Sequence, residues 1–310
     1  MKKLTLVLIL VLCVTSLLAA CSSSKEVISI TEYTAKLYES SVGGVEDEST
    51  ERYDGERFDT VNKYTKNGKS KKVDNTFGHD LTLTYDWTLK SEVASYEIDE
   101  YSFVKDRSYT FVSYRSDTNR IVKYETNAAN DRKYISVVNP NSTESEFVSY
   151  AKDIFHKYSG IPVDDWDVKI QTWRAEYGYE DRFINYPHDI PANNAEYIIT
   201  FSKKIGDIER SDKMHIRMTN LGEVIELNAV NYDQSFAPYA ELQIDQSKIE
   251  EAAWNAFDNI RNNHSIESQK IQNIELVIQD DSLWAQVTIE YSLGETKGGV
   301  IYVIQVAELK

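Results

Sequence analysis

An α+β fold, with single helices packed on antiparallel β-sheet in repeated units, is what this sequence predicts. Three observations lead there. Segments that alternate apolar and polar residues recur along the chain, and Asn-, Gly-, Asp- and Ser-rich turns separate neighbouring ones. Longer stretches around 143–160 and 246–263 instead space their apolar residues by three and four, the period of an amphipathic helix. Consecutive strands joined by tight turns must pair antiparallel, and each helix stripe then needs a sheet face to cover it.

The elements follow in chain order. TEYTAKLYES, Thr31 to Ser40, sets Tyr33 and Leu37 four apart with Thr34 and Tyr38 beside them, which predicts a short helix. The acidic, turn-rich SVGGVEDESTERYDGERFD reads as a loop. LTLTYDWTL at 81–89 opposes Leu81, Leu83, Tyr85, Trp87 and Leu89 to Thr82, Thr84, Asp86 and Thr88, a strand with one buried face. VASYEIDEYSFV, SYTFVSYR, RIVKYE and RKYISVVN continue the strands, with Ser116 to Asn119 as a turn. A helix should then start at Thr143, whose hydroxyl forms a capping box with Glu146, bury Phe147, Ala151 and Phe155, and close at Gly160 before Pro162. Strands are expected at about 166–174, 195–202, 212–219 and 223–230. The short strand AELQID leads to a second helix, with Ser247 and Glu250 as its capping box and Ile249, Ala252, Ala253, Ala256, Phe257 and Ile260 as its apolar face. KIQNIELVIQ, LWAQVTIEY and GVIYVIQVAEL complete the chain as strands.

Similar features recur at a distance. Thr118-Asn119 and Thr219-Asn220 stand 101 positions apart, and the capping hydroxyls Thr143 and Ser247 stand 104 apart, a pattern of internal duplication. The expected organisation is an N-terminal α+β region over 30–130, a second unit over 131–238 and a C-terminal unit over 239–310. SKIEEAAWNAF, DDSLWAQVTIEY and GVIYVIQV resemble the helix and strands of PepSY-type modules of exported bacterial proteins, with a fainter copy from about 132 to 230. MTNLGEVIEL and DTNRIVKY approximate that family's turn, whereas the C-terminal copy ends at Lys310 without it. The resemblance implies a noncatalytic binding or inhibitory module of the cell envelope, with regulation of a peptidase as its associated role.

The leading residues address the chain. Lys2 and Lys3 precede fifteen uncharged residues, Leu4 to Leu18, shorter than the roughly 20 apolar residues that span a bilayer and laid out as a signal peptide over 1–20. Leu18-Ala19-Ala20-Cys21 resembles the lipobox of bacterial lipoproteins, in which the cysteine takes a diacylglyceryl group and becomes the new amino terminus. Residues 21–29 then form a lipidated tether, with Ser22 to Ser24 as a hydrated spacer. Two or three acyl chains, at about 0.8 kcal/mol per buried CH2, give stable anchorage where one does not. The expected location is the outer face of the bacterial cell membrane.

Charge and motif content bound the function. Thirty-four basic residues face 50 acidic ones, a net charge of −16, so phosphate backbones are repelled and nucleic acid is excluded as a partner. Processing at Cys21 would remove Cys13 and occupy the other thiol, leaving neither disulfide nor thiolate ligand. His79, His156, His188, His215 and His264 lack metal-ligand spacing, and neither phosphate loops nor nucleophile elbows occur, so no cofactor is expected. The acidic DDWD at 164–167 reads as a solvated loop. EYGYEDRFINYPHDIPANN, Glu176 to Asn194, instead interrupts two strands that the C-terminal unit joins through little more than Asp280-Asp281. Its Tyr177, Tyr179, Arg182, Phe183, Tyr186 and His188 are the candidate binding loop, since tyrosine and arginine dominate binding hot spots. Partners are therefore the membrane, through the acyl chains, and an envelope protein or peptide that meets an exposed sheet edge or this loop. The competing readings are an envelope hydrolase using a carboxylate pair and a solute-binding lipoprotein of a transporter.

Overall fold

The computed structural model describes residues 26–40, 51–54, 61–74, 76–77, 81–91, 96–105, 108–127, 143–173, 196–219, 222–230, 232, 234–263 and 265–310. Eight strands come first: Val27–Ser29 (β1), Ala35–Ser40 (β2), Val61–Tyr64 (β3), Lys71–Asp74 (β4), Leu81–Ser91 (β5), Glu97–Lys105 (β6), Ser108–Arg115 (β7) and Ile121–Thr126 (β8). Helix Glu144–Ile154 (α1) runs on into a π-helical turn, Phe155–Ser159. Six strands follow: Asp167–Trp173 (β9), Glu196–Ser202 (β10), Lys204–Ile205 (β11), Ile208–Arg210 (β12), Met214–Thr219 (β13) and Val224–Asn228 (β14). A 3-10 helix at Gln234–Tyr239 leads to helix Gln246–Asn263 (α2) and to Ser268–Gln279 (β15), Ser282–Leu293 (β16) and Thr296–Leu309 (β17).

This is an α+β fold dominated by antiparallel sheet. A ten-stranded sheet runs β3-β5-β6-β7-β8-β14-β13-β10-β9, with β4 also on β5, and a seven-stranded sheet runs β1-β17-β16-β15-β12-β11, with β2 also on β17. Among the described strands one pair is parallel, β12 with β15. The sheets cut across the three sequence regions. Residues 30–130 and 131–238 share the large sheet, while β1 and β2 pair with the last strand of the chain.

Each helix lies over one sheet face. Phe147, Ala151, Ile154 and Phe155 of α1 and its π turn are buried among Val112, Tyr124, Leu227, Ile216 and Ile199, with Phe155 5.2 Å from Phe201 and Phe147 4.5 Å from Tyr197. Ile249, Ala253, Phe257 and Ile260 of α2 pack on Leu283, Ala285, Val287 and Ile289, alternate residues of β16. Burying each such large side chain contributes about 1.5–3 kcal/mol, so the stripes hold the helices where intrinsic propensity would not. Thr143 and Glu146 form the expected capping box, and Gly160 closes the helix at φ +68°, its N–H donating to the Phe155 carbonyl at 2.8 Å.

The structure corrects several sequence expectations. Ala35–Ser40 is a strand: Ala35 and Leu37 are buried with the period of two, and pairing with β17 overrides the local helical spacing. AELQID forms no strand, and α2 is capped by Asp245, whose carboxylate accepts from the Ser247 and Lys248 amides, while Glu250 accepts from Gln246. In β5 a bulge between Tyr85 and Trp87 switches the faces, so Trp87 is exposed and Thr88 buried. Strands β3 and β4 are additional to the expected elements: they lie end to end along β5, each pairing with it antiparallel, with Asn67-Gly68 in the connection between them. RKYISVVN, His79, His264 and most of the acidic loop after Ser40 lie outside the described residues.

Candidate binding surface

The root of the long insertion is fixed by the sheet. Trp173 and Glu196 face each other as the terminal pair of β9 and β10, so the segment 174–195 leaves and re-enters the sheet at directly opposed residues. Antiparallel partners stand roughly 4.5–5.5 Å apart, which fixes both ends of the segment side by side on a rigid scaffold. Tyr177, Tyr179, Arg182, Phe183, Tyr186 and His188 all belong to this segment and lie outside the described residues, as does Cys21.

An ionic network sits beside that root, on the face of the large sheet opposite α1. Strand register places Glu125, Glu226, Arg217 and Ile198 in one row and Lys123, Asn228, His215 and Thr200 in the next. Glu125 and Glu226 are direct cross-strand neighbours, a like-charge pair that would repel. Surrounding bases offset it. His215 Nε2 lies 2.9 Å from Glu226, Arg217 Nε lies 3.7 Å from Glu226 and 3.9 Å from Glu196, and Lys123 lies 3.8 Å from Glu125. The hydrogen bond from His215 holds the Glu226 carboxyl below its ordinary range, against the effect of burial. Burial pushes Glu196 the other way, with Arg217 opposing it. Two carboxyls on either side of one guanidinium thus differ in proton affinity.

The far edge of the sheet carries a second polar cluster. Asp99, nearly buried, accepts from Thr88 at 2.7 Å and pairs with Lys69, while Lys66 binds Glu97 at 2.7 Å. Burial alone would raise the Asp99 carboxyl, yet the bonds from Lys69 and Thr88 outweigh it and lower it. Lys72 rests 3.2 Å from the Tyr114 ring centroid, and burial brings its amine down to about 8. These lysines tie the β3–β4 connection and β4 to β6 and β7, a holding role.

A junction joins the two sheets. The chain leaves β10, makes the β11–β12 hairpin on the seven-stranded sheet, and returns to the large sheet as β13. There Arg210 forms a buried two-pronged pair with Asp212, its guanidinium carbon 4.3 Å from the Phe236 ring and 5.6 Å from the Trp166 ring, one ring from each core. Lys213 completes the seam by bonding Glu209 and Glu275 at 2.7 and 2.9 Å, which keeps its ammonium above the usual range despite burial. No signal in the sequence marked this arrangement, because the partners are brought together by topology alone.

The DDWD motif becomes the entry to β9. Asp164 lies 3.1 Å from His156 and Asp165 2.7 Å from Lys203, while Trp166 is buried. Among the described residues, no group of three or more His, Cys, Asp or Glu side chains has the arrangement of a metal site, and no helix is long and apolar enough to cross a membrane. A recess of about 540 Å³ between β15, β16 and β17 includes one carboxylate, Glu290, which is paired to Lys270 at 3.3 Å.

Among the described residues, fold and surface define an α+β protein of two largely antiparallel sheets, each carrying one α-helix, with an insertion rooted beside an ionic network. No family model matches the chain, and no curated protein does. Among solved structures, the C-terminal domain of YpeB from Bacillus megaterium is similar at 10% identity over 72% of this chain and 88% of that chain, with a TM-score of 0.29.

Proposed function

We propose that this chain is an exported, lipid-anchored binding protein of the bacterial cell envelope, built on repeated PepSY-like helix-on-sheet units, which holds a protein or peptide partner and performs no chemistry of its own. The observation that carries the reading is the Trp173–Glu196 pair, which presents the tyrosine- and arginine-bearing segment from the end of a ten-stranded sheet. The two units of the repeat would be α1 on the large sheet and α2 on the small one. Acyl chains on Cys21 would place the assembly at the outer face of the membrane, where a peptidase is the partner that the family resemblance suggests.

Replacing residues 174–195 by an Asn-Gly turn tests the binding role. The shortened protein should fold with an unchanged melting temperature and lose a co-precipitated envelope protein that the intact chain retains; equal recovery by both would refute it. Anchoring has a separate test, in which Cys21→Ala abolishes incorporation of labelled palmitate. Continued labelling would remove the lipoprotein assignment.

One observation favours a second reading, a carboxylate-dependent hydrolase. Glu196 and Glu226, pushed apart in proton affinity around Arg217, have the divergence seen in acid–base pairs. Turnover of peptides or glycans that Glu196→Gln and Glu226→Gln each abolish would establish it in place of the binding role.

A further inference from the structure

Sheet edges offer unpaired backbone groups, and proteins guard them by shortness, by edge lysines or by a covering segment. Most edges of this molecule are guarded in these ways. Strands β1 and β11 are three and two residues long. The outer side of β2 is covered where the Leu37 amide donates to Glu51 and the Tyr53 amide donates to Leu37. Strands β3 and β4, four residues each, carry Lys63, Lys71 and Lys72. Strand β9 is longer than these and carries one lysine, Lys169. All seven of its residues pair inward with β10, and among the described residues no strand pairs with its outer side.

Its side chains carry a pattern. Val168 and Ile170, opposite Phe201 and Ile199, face the α1 side, and Val168 is 36% exposed beside a Phe201 that is fully buried. Asp167 and Lys169 project to the other face, both exposed. Asp164, Asp165 and Asp167 gather at the strand's N-terminal end, the first two with side chains 71% and 73% exposed. The cation there is Lys203 on Asp165, the His156 imidazole lies 3.1 Å from Asp164, and Asp167 has no ion pair among the described residues.

Resting on the binding role proposed above, we infer that β9 is the docking strand, and that its occupant is an extended segment of another protein, added antiparallel, with apolar side chains against Val168 and Ile170 and a lysine or arginine near its C-terminal end. Antiparallel addition continues the sheet as built and brings the C-terminal end of the added strand to the three aspartates. Charge decides between occupants. A second copy of this chain would bring another −16 to the contact, whereas a basic segment is attracted.

The experiment uses a phage-displayed random decapeptide library against the purified protein, followed by hydrogen exchange with the selected synthetic peptide. Enriched peptides should alternate apolar and polar residues, end in Lys or Arg, and protect amides within residues 167–173. Asp167→Lys should weaken the selected peptide at least tenfold with an unchanged melting temperature. Val168→Pro and Lys169→Pro separate the two edges of the strand, because adjacent amides point in opposite directions: one variant should melt lower, and the other should keep its stability and lose the peptide. Enrichment without the basic end, protection elsewhere than β9, or no enrichment at all would overturn the inference. Loss of the envelope partner on shortening 174–195, with β9 unprotected in the complex, would retain the binding role and discard this strand as its site.

Discussion

Removing the carboxylate of Asp212 should cost more stability than any surface ion pair in this protein. Asp212 is fully buried and Arg210 is 8% exposed, so Asp212→Ala leaves a guanidinium between two aromatic rings with its principal counter-charge gone. Breaking a buried pair from one side costs about 3–5 kcal/mol, since the remaining ion has lost its partner but not its desolvation. For a chain of this size each kcal/mol moves the melting temperature by about 1.5 °C, so a fall of about 5–8 °C is expected by calorimetry. The two cores should be affected together, because Phe236 belongs to one and Trp166 to the other. A second variant isolates the cause. Arg210→Met with Asp212→Leu replaces the pair by apolar bulk and should recover most of the loss, because the stranded charge is gone. If the double variant melts no higher than Asp212→Ala, the cost lies in lost packing and the electrostatic argument fails.

Opposite pH responses are expected from the two carboxyls around Arg217. Glu226 titrates below its ordinary value in the folded state, so its contribution is present at neutral pH and is lost as pH falls through that lowered value; Glu226→Gln should flatten the acid limb of a urea-denaturation profile. Glu196 titrates above its ordinary value, so ionisation opposes folding as pH rises through the window above it, and Glu196→Gln should be more stable than the parent at pH 7, with a lower midpoint counting against the burial argument. Gly160→Ala forces a side chain into a left-handed backbone at φ +68° and onto the Arg120 guanidinium, so it should lower stability by about 1–2 kcal/mol; an unchanged urea midpoint would show that the turn relaxes.

Local chemistry decided what could be read in advance. The helix at 144–159 was legible because its cap, its stripe and its terminating glycine agree. Strands β6 to β8 and β15 to β17 were legible by alternation and by turns such as Asn119 and Asp280-Asp281, which adopt positive φ. Failures came where distant partners overrule local pattern. Leu37 reads as helical until β17, more than 250 residues on, supplies its pairing, and Trp87 reads as buried until one extra residue in β5 reverses the strand's faces. The β11–β12 hairpin turns on Gly206-Asp207, with Gly206 at φ +60°, but its strands are too short for alternation to mark and its pairing with β15 has no local signature. The candidate surface was half legible. Tyrosines in an overlong connection marked the insertion, but that its root adjoins an edge strand required the sheet order.

The charge balance also bears on how tightly such a surface holds its partner. Many of the bases are committed internally: Lys66, Lys69, Lys203, Lys213, Arg210 and Arg217 each stand against a carboxylate. An acidic excess therefore faces solvent, and a basic segment is drawn to it by an attraction that salt screens, with a Debye length of about 8 Å at physiological ionic strength and about 3 Å at 1 M. Backbone hydrogen bonds along an added strand are not screened in this way. Affinity for a lysine-ended peptide should accordingly fall as salt is raised and then level off, while the same peptide ended in glutamate should bind below that plateau at low salt and rise toward it as salt screens the repulsion. Binding that vanishes at 1 M salt would mean that charge alone carries recognition, and an extended backbone partner would no longer be required.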